Sequence, residues 1–234
     1  MSVKEIQKKL QELGNKEKAK NHQRFFKTGP GEYGEGDIFV GVTVPELMKR
    51  ANEYKTITLK EVKQLLHSSI HEERLLSLFI LIHRYSKRDE SEKRRVYELY
   101  LKNTKFINNW DLVDSSAGQI VGAFLFDKSK KPLYNLVKSN NLWERRISII
   151  STFYFIKRNQ HSDTLKISKI LLSDKEVLIH KAVGWMLREV GKRNMSVEEK
   201  FLKKYYKNMP RTMLRYAIEK FPESKRQRYL EGTI

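Results

Sequence analysis

The sequence predicts an all-α fold in which helical repeats stack into a solenoid. Apolar residues recur at helical spacing along most of the chain, and stretches that open amphipathic helices recur about every 35 residues. In a solenoid the corresponding helices lie side by side, so equivalent positions form a ladder along one surface. Because stacked repeats share one continuous core, we expect a single domain over residues 1–234.

The first elements are two short helices and a glycine-rich segment. Val3, Ile6 and Leu10 recur at helical spacing, and Gly14 ends this helix. A second helix is expected from about residue 16 to residue 23. Residues 25–41, here called the Gly-rich segment, contain five glycines and a proline. That composition predicts a loop or hairpin inserted near the N-terminus.

Helices are expected over the rest of the chain. Pro45 suits the first turn of the next helix, and helices continue to Phe221. A last short helix is expected at residues 226–230. Turn-forming residues predict the breaks, which lie near Ser68, Ser86, Lys105, Ser129, Asn140, Gln160, Asp174 and Asn194.

The charge balance indicates a polyanionic partner. The chain has 47 Lys and Arg against 28 Asp and Glu, a formal net charge of +19 and a pI of about 9.9. These charges are spread through amphipathic helices, which favours a basic face over a disordered arm. Two alternatives remain open: lysines that only solubilise helix surfaces, and attraction to an anionic membrane surface.

Several site classes lack support. There is no cysteine, so disulfides and thiolate metal sites are excluded, and a reducing cytoplasm fits. The N-terminus lacks the apolar run of a signal peptide, and no stretch of about 18 apolar residues could cross a bilayer. His67 and His71 are one helical turn apart, but serines interrupt the helix there and no third ligand follows. We therefore expect no metal and no cofactor.

The glycines of the Gly-rich segment could let backbone amides approach a phosphate. However, no Gly-Lys-Ser/Thr follows, and the acids Glu32, Glu35 and Asp37 would repel an anion. The alternative is packing against the first repeats through aromatic side chains, with neighbouring cations free to touch a nucleic-acid backbone. The aromatic residues are Phe25, Phe26, Tyr33 and Phe39, and the cations are Arg24 and Lys27.

The ladder gives the strongest candidate site. Trp110 and Asp114 are one helical turn apart on one repeat, as are Lys181 and Trp185 on another, and Arg146 comes from the repeat between them. Two indoles would thus flank a carboxylate and a guanidinium on one surface. Each residue also has an ordinary explanation: tryptophans fill cores, an acid suits a helix start, and an arginine forms surface ion pairs.

Three motifs strongly resemble the AlkD family of bacterial DNA alkylation repair glycosylases. They are NWDLVD at 109–114, LWERR at 142–146 and HKAVGWMLRE at 180–189. The resemblance implies a right-handed α-solenoid of HEAT-like repeats, whose concave basic face holds double-stranded DNA. It also implies a monomer in the bacterial cytoplasm that excises cationic bases such as 3-methyladenine and 7-methylguanine without a metal or cofactor.

Residue roles follow from the same resemblance. Asp114 would be the catalytic carboxylate, Trp110 and Trp185 would contact the deoxyribose that carries the lesion, and Arg146 would hold the nearby backbone. Other basic residues would bind DNA along the ladder and beside the Gly-rich segment. These are Arg24, Lys27, Arg74, Arg145, Arg146, Lys181, Arg188, Arg211 and Arg215.

The Gly-rich segment departs from the best-known pattern of this family. It resembles the arrangement in the related AlkF and AlkG proteins, which bind branched DNA without excising alkylated bases. Two hypotheses therefore stand side by side: an alkylpurine DNA glycosylase, and a non-catalytic binder of branched or distorted DNA. A third is a helical-repeat scaffold for an acidic protein.

Overall fold

The computed structural model describes residues 2–234, and this part of the chain is helical with no β-strand. It divides into two compact units, unit 1 up to Ser116 and unit 2 from Ala117, and each is described by itself. The helices of unit 1 are α1 (Val3–Glu12), α2 (Lys16–Phe25), α3 (Val44–Glu53), α4 (Leu59–Leu66), α5 (His71–Lys87), α6 (Glu90–Lys102) and nearly all of α7 (Trp110–Ala117).

Unit 2 continues with a π-helical turn at Gly118–Gly122. Its helices are α8 (Ala123–Leu125), α9 (Lys131–Leu136), α10 (Leu142–Ser151), α11 (Phe153–Ile156), α12 (Ser162–Ile170), α13 (Val177–Gly191), α14 (Met195–Tyr205), α15 (Arg211–Ala217) and α16 (Glu223–Glu231). No helix among the residues described is long and apolar enough to span a membrane.

The predicted helical spacing is confirmed. The helices that open the repeats begin at residues 71, 110, 142, 177 and 211, which are 32 to 39 residues apart. All the predicted breaks fall between helices or at their ends. Further breaks that were not predicted lie between α3 and α4, at residues 54–58, and at Met209, between a 3-10 turn and α15.

Local sequence explains several helix starts. Ser2 accepts a hydrogen bond from the backbone N–H of Glu5, whose carboxylate binds the Ser2 N–H in return. Thr58 and Glu61 form the same reciprocal cap at α4. Such caps satisfy N–H groups that have no partner within the helix. Pro45 lies in the first turn of α3, as predicted.

The Gly-rich segment is a loop of turns, so the hairpin alternative is not realised. Among the described residues, one isolated parallel bridge joins Ile38 to Ile70, and the N–H of Asn15 donates to the carbonyl of Val40. Gly41 has φ +84°, and a Cβ there would lie 2.1 Å from the Asn15 carbonyl oxygen. Glycine is therefore required where the loop crosses the start of α2.

In unit 1, α5 packs against α3, α4 and α6. Leu75, Leu76 and Leu78 on α5 are buried, as are Leu47 on α3 and Leu65 on α4. The first turn of α5 also buries four consecutive polar residues, 71–74. Buried charges are costly unless they are paired, so this turn has a specific role in the unit.

In unit 2, neighbouring repeat helices approach closely at glycines. A Cβ on Gly122 would lie 2.1 Å from the carbonyl oxygen of Ser151, and a Cβ on Gly184 would lie 2.4 Å from that of Met213. The helix α13 packs against the following helix α14 and against α10 and α15. The contacts with α10 and α15 join equivalent helices of adjacent repeats, as stacking requires.

Candidate functional site

In unit 1, Trp110 and Asp114 lie one turn apart on α7, and both side chains are partly exposed. The side-chain oxygen of Asn109 accepts a hydrogen bond of 2.8 Å from the Trp110 N–H. Asp111 accepts one of 2.8 Å from the Leu112 N–H. The first turn of α7 is thus capped by side chains that are themselves held in place.

These caps belong to a buried network, here called the His71 network, formed by Asp37, His71, Arg74, Asn109 and Asp111. His71 contacts Asp37 through Nδ1 at 2.9 Å and Asp111 through Nε2 at 2.7 Å. Arg74 Nη2 donates to Asp37 at 2.5 Å, and Asn109 Nδ2 donates to the same carboxylate at 3.2 Å. The network ties the Gly-rich segment and α5 to the start of α7.

Protonation in this network follows from its geometry. Each ring nitrogen of His71 faces a carboxylate oxygen, so both nitrogens donate and the ring is an imidazolium. Burial lowers the pKa of His71, but the bonds to Asp111 and Asp37 outweigh burial and raise it. Burial likewise raises the pKa of Asp37, and the bond from His71 with the charge of Arg74 brings it below its ordinary value.

Aromatic rings surround Trp110. Its indole stacks on Phe26, with centroids 5.1 Å apart and planes 18° apart, and meets Phe25 edge to face at 5.7 Å. Phe26 and Phe39 are buried, which agrees with the predicted packing of this segment, whereas Phe25 is 64% exposed. One face of the indole is therefore covered by the chain itself.

A pocket of about 360 Å³, here called the aromatic pocket, opens beside these rings. All of its residues belong to unit 1. It is lined by His22, Phe25, Phe26, Phe39, Val42, Thr43, Val44, Leu47, His71, Glu72, Leu75, Trp110 and Asp111.

In unit 2, the predicted site residues are differently placed. Arg146 is 5% exposed, and its Nη1 donates a hydrogen bond to the carbonyl oxygen of Leu178. Trp185 is partly exposed and lies 5.8 Å from the ring of Phe153. Lys181 is also partly exposed. Arg146 therefore anchors α10 to α13, whatever further role it has.

The remaining basic candidates fall into two groups. Arg74 is buried in the His71 network, and Arg145 binds Asp174 at 2.6 Å together with two backbone carbonyls. These two guanidiniums hold the fold through these bonds, and their expected contact with DNA stays a prediction. Arg188 pairs with Glu219.

The second group faces solvent. It comprises Arg24, Lys27, Arg211 and Arg215, all of which are exposed. Arg24 donates to Asn21, and Arg211 donates to the carbonyl of Leu230, so both reach solvent from fixed positions. These side chains remain candidates for phosphate contact.

The two histidines considered for a metal have other partners. His67 Nε2 lies 2.6 Å from Asn103 Oδ1 and its ring stacks on Phe106, while His71 binds two carboxylates. Sequence reasoning did not find the His71 network. The signal available in the sequence was that His71 and Arg74 share one helix face. The structure adds that Asp37 is the buried acid of the Gly-rich segment.

A comparison with protein families assigns most of the chain to one family. The sequence profile described as "DNA alkylation repair enzyme" matches residues 6–221. The chain belongs to this family. No match was found among curated protein sequences.

Three solved structures share the fold. A predicted DNA alkylation repair enzyme from Enterococcus faecalis aligns with a TM-score of 0.69 and 16% identity, covering 90% of this chain and 98% of that one. AlkD2 from Streptococcus mutans aligns with a TM-score of 0.55 and 19% identity, covering 88% and 98%. The protein smu.31 from Streptococcus mutans UA159 gives 0.54 and 20%, covering 76% and 92%.

Proposed function

We propose that this protein is a DNA glycosylase that excises cationic N-alkylated purines, such as 3-methyladenine and 7-methylguanine, from duplex DNA. The observation that supports this most directly is the pair Trp110 and Asp114. Both are accessible, one turn apart, on a helix whose first turn is held by the His71 network. Membership in the DNA alkylation repair family agrees with this role.

The chemistry needs little more than such a pair. A cationic purine leaves as a neutral base, so no strong general acid is required at the leaving group. The difficult species is the deoxyribose, which develops oxocarbenium character as the glycosidic bond breaks. A fixed carboxylate stabilises that charge, an indole edge or face adds attraction, and the carboxylate orients the attacking water.

Rigid placement is what makes such a site effective. A carboxylate that is already in position pays no reorganisation cost when charge develops, and small misplacements lower the rate steeply. The His71 network supplies this rigidity at the N-terminal end of α7. The roles expected of Trp185 and Arg146 in unit 2 stay predictions.

The test is release of 7-methylguanine and 3-methyladenine from methylated duplex DNA under single-turnover conditions. We expect release by the native protein and loss of release in Asp114→Asn, with DNA affinity nearly retained. Asp127→Asn, an exposed carboxylate of the same chain, is the matched control and should keep full activity. Equal loss of binding and excision in Asp114→Asn would refute the catalytic assignment.

A second candidate function is binding of branched or distorted DNA without excision. It is favoured by the Gly-rich segment and by the coverage of one Trp110 face by Phe26. Absence of base release together with tight, salt-sensitive binding to DNA junctions would select it. Lys27→Ala should then weaken junction binding more than duplex binding, because Lys27 is an exposed cation of that segment.

A further inference from the structure

A second pocket of unit 1, here called the α5 pocket, lies at the C-terminal end of α5. Its volume is about 460 Å³, which is in the range of small-molecule binding sites. His83 in its wall is twelve residues beyond His71, so the pocket lies about 18 Å along the helix from the His71 network. It is lined by Asn52, Lys55, Thr56, His83, Arg84, Lys87 and Arg88.

The walls of the α5 pocket are basic. Four of the seven lining residues are Lys or Arg, one is His, the other two carry an amide and a hydroxyl, and none is acidic. Lys55, Lys87 and Arg88 are exposed, and none of them pairs with a carboxylate of residues 2–234. Three cations without an ion pair therefore line one cavity.

The acids that are close in sequence are engaged elsewhere. Glu53 binds Arg50 at 2.7 Å, and Glu90 binds Lys93 at 2.9 Å. Asp89 caps the first turn of α6. The carbonyl groups at the ends of α3 and α5 favour cations nearby, but their partial charges do not balance three full charges. Positive charge is thus left for a ligand.

Arg84 gives the α5 pocket a fixed wall. Its Nε donates to Glu92 at 2.8 Å and its Nη1 donates to the carbonyl oxygen of Ile57 at 2.6 Å, so 13% of the side chain is exposed. These bonds hold the segment between α3 and α4 against α5 and α6. The pKa of His83 is lowered by burial and then by the charges of the two lysines of the pocket. Cations from two segments thus act on one ring.

We propose that the α5 pocket binds closely spaced phosphate groups. Ammonium and guanidinium groups form strong, charge-assisted hydrogen bonds with phosphate, and the Asn52 amide and Thr56 hydroxyl can donate to further oxygens. Two sources offer such groups: the backbone of a bound nucleic acid, and a free di- or triphosphate. The inference does not depend on base excision, because the pocket shares no residue with the pair Trp110 and Asp114.

The first experiment titrates inorganic pyrophosphate into the full-length protein by calorimetry. The pocket variant combines Lys55→Gln with Lys87→Gln, and the α4 control combines Lys60→Gln with Lys63→Gln. Each removes two exposed lysine charges of unit 1, and the control residues lie outside the pocket lining. We expect the pocket variant to lose about tenfold or more in affinity and the α4 control to stay within about twofold. No binding by the native protein, or equal losses in both variants, would overturn the proposal.

The ring of His83 supplies an independent readout. A phosphate in the α5 pocket opposes the lysine charges that act on this ring, so pyrophosphate should raise the pKa of His83. His161 in unit 2 also has a lowered pKa, through burial and Arg193, and its pKa should not change. Histidine ring signals followed by NMR across pH give both values, and His83→Gln assigns the signal. An unchanged pKa of His83 at saturating pyrophosphate would contradict the site.

A second arm distinguishes the source of the phosphate. The salt dependence of binding to a short unmodified duplex is measured for the native protein, the pocket variant and the α4 control. If the pocket takes backbone phosphates, the pocket variant should lower the salt slope by about two phosphate contacts relative to the control. If it takes a free di- or triphosphate, the two variants should have the same slope while only pyrophosphate binding falls. Base release is not read in either arm, so the result is separate from the test of glycosylase activity.

Discussion

His71 joins Asp111 through a hydrogen bond of 2.7 Å from Nε2, and this bond connects α5 to the first turn of α7. The other ring nitrogen binds Asp37 in the Gly-rich segment. One imidazolium therefore links three parts of unit 1 that are distant in sequence. The position of Trp110 and Asp114 depends on this link as much as on the helix that carries them.

Removing the charge of Asp37 should destabilise the protein. Asp37→Asn leaves His71 and Arg74 buried without their shared carboxylate, which should lower the free energy of unfolding by about 3 kcal/mol. Urea denaturation measures this change. Glu12→Gln, which alters an exposed carboxylate on α1, should leave the free energy of unfolding unchanged. Similar stability of both variants would argue against the network as an anchor.

The glycines of the turn at 118–122 should respond in opposite ways to alanine. Gly122→Ala would place a Cβ against the Ser151 carbonyl and should lower the free energy of unfolding by about 1–3 kcal/mol. At Gly118 the nearest atom would lie 3.6 Å away, so Gly118→Ala should raise it by about 0.5–1 kcal/mol. Thermal or urea unfolding separates the two, and effects of the same sign would contradict the packing.

Glu198 should make stability depend on pH. Burial raises its pKa to about 8, and Oε1 has no hydrogen-bond partner among the described residues. Because the folded-state pKa exceeds that of the unfolded chain, stability is greatest below about pH 4.5 for this group and is lost as pH rises towards 8. Glu198→Gln should therefore gain about 1–3 kcal/mol above that value.

Unfolding measured across pH checks the Glu198 prediction. The native protein and Glu198→Gln should have similar free energies of unfolding near the acidic end and diverge as pH rises. The control Glu231→Gln changes an exposed carboxylate on α16 and should follow the native profile. A constant difference between Glu198→Gln and the native protein would mean that the carboxyl does not titrate as described.

The variants Arg215→Ala and Arg146→Ala should distinguish a residue that contacts DNA from one that stabilises the fold. Arg215 is exposed, so Arg215→Ala should reduce the salt dependence of DNA binding by about one phosphate contact at unchanged stability. Arg146→Ala removes a donor from the Leu178 carbonyl and should lower the free energy of unfolding by about 1–3 kcal/mol. Affinity at several salt concentrations, with urea unfolding, gives both quantities. An unchanged salt slope in Arg215→Ala would remove it from the DNA-binding surface.

The helices could be predicted because their signals are local. Apolar periodicity predicts α5, α7, α10 and α13, Asn141 caps the start of α10, and the spacing of about 35 residues follows from the periodicity. Trp110 and Asp114 share a face because they lie one turn apart in a helix. These relationships need no knowledge of distant contacts.

The His71 network could not be predicted from local patterns. Asp37 and Arg74 are 37 residues apart, and Arg145 and Asp174 are 29 apart. Whether a basic side chain meets phosphate or a carboxylate depends on which loop packs over it. For this reason Arg74 and Arg145 resembled DNA contacts in the sequence and are ion-paired in the structure.

The Glu72 carboxylate holds the Gly-rich segment by two main-chain N–H groups, those of Val40 and Gly41. Any residue other than proline offers the same N–H at position 40. The attachment therefore does not depend on the side chain at position 40. The exposed residues of this loop can be replaced while its hydrogen bonds to Glu72 on α5 are kept.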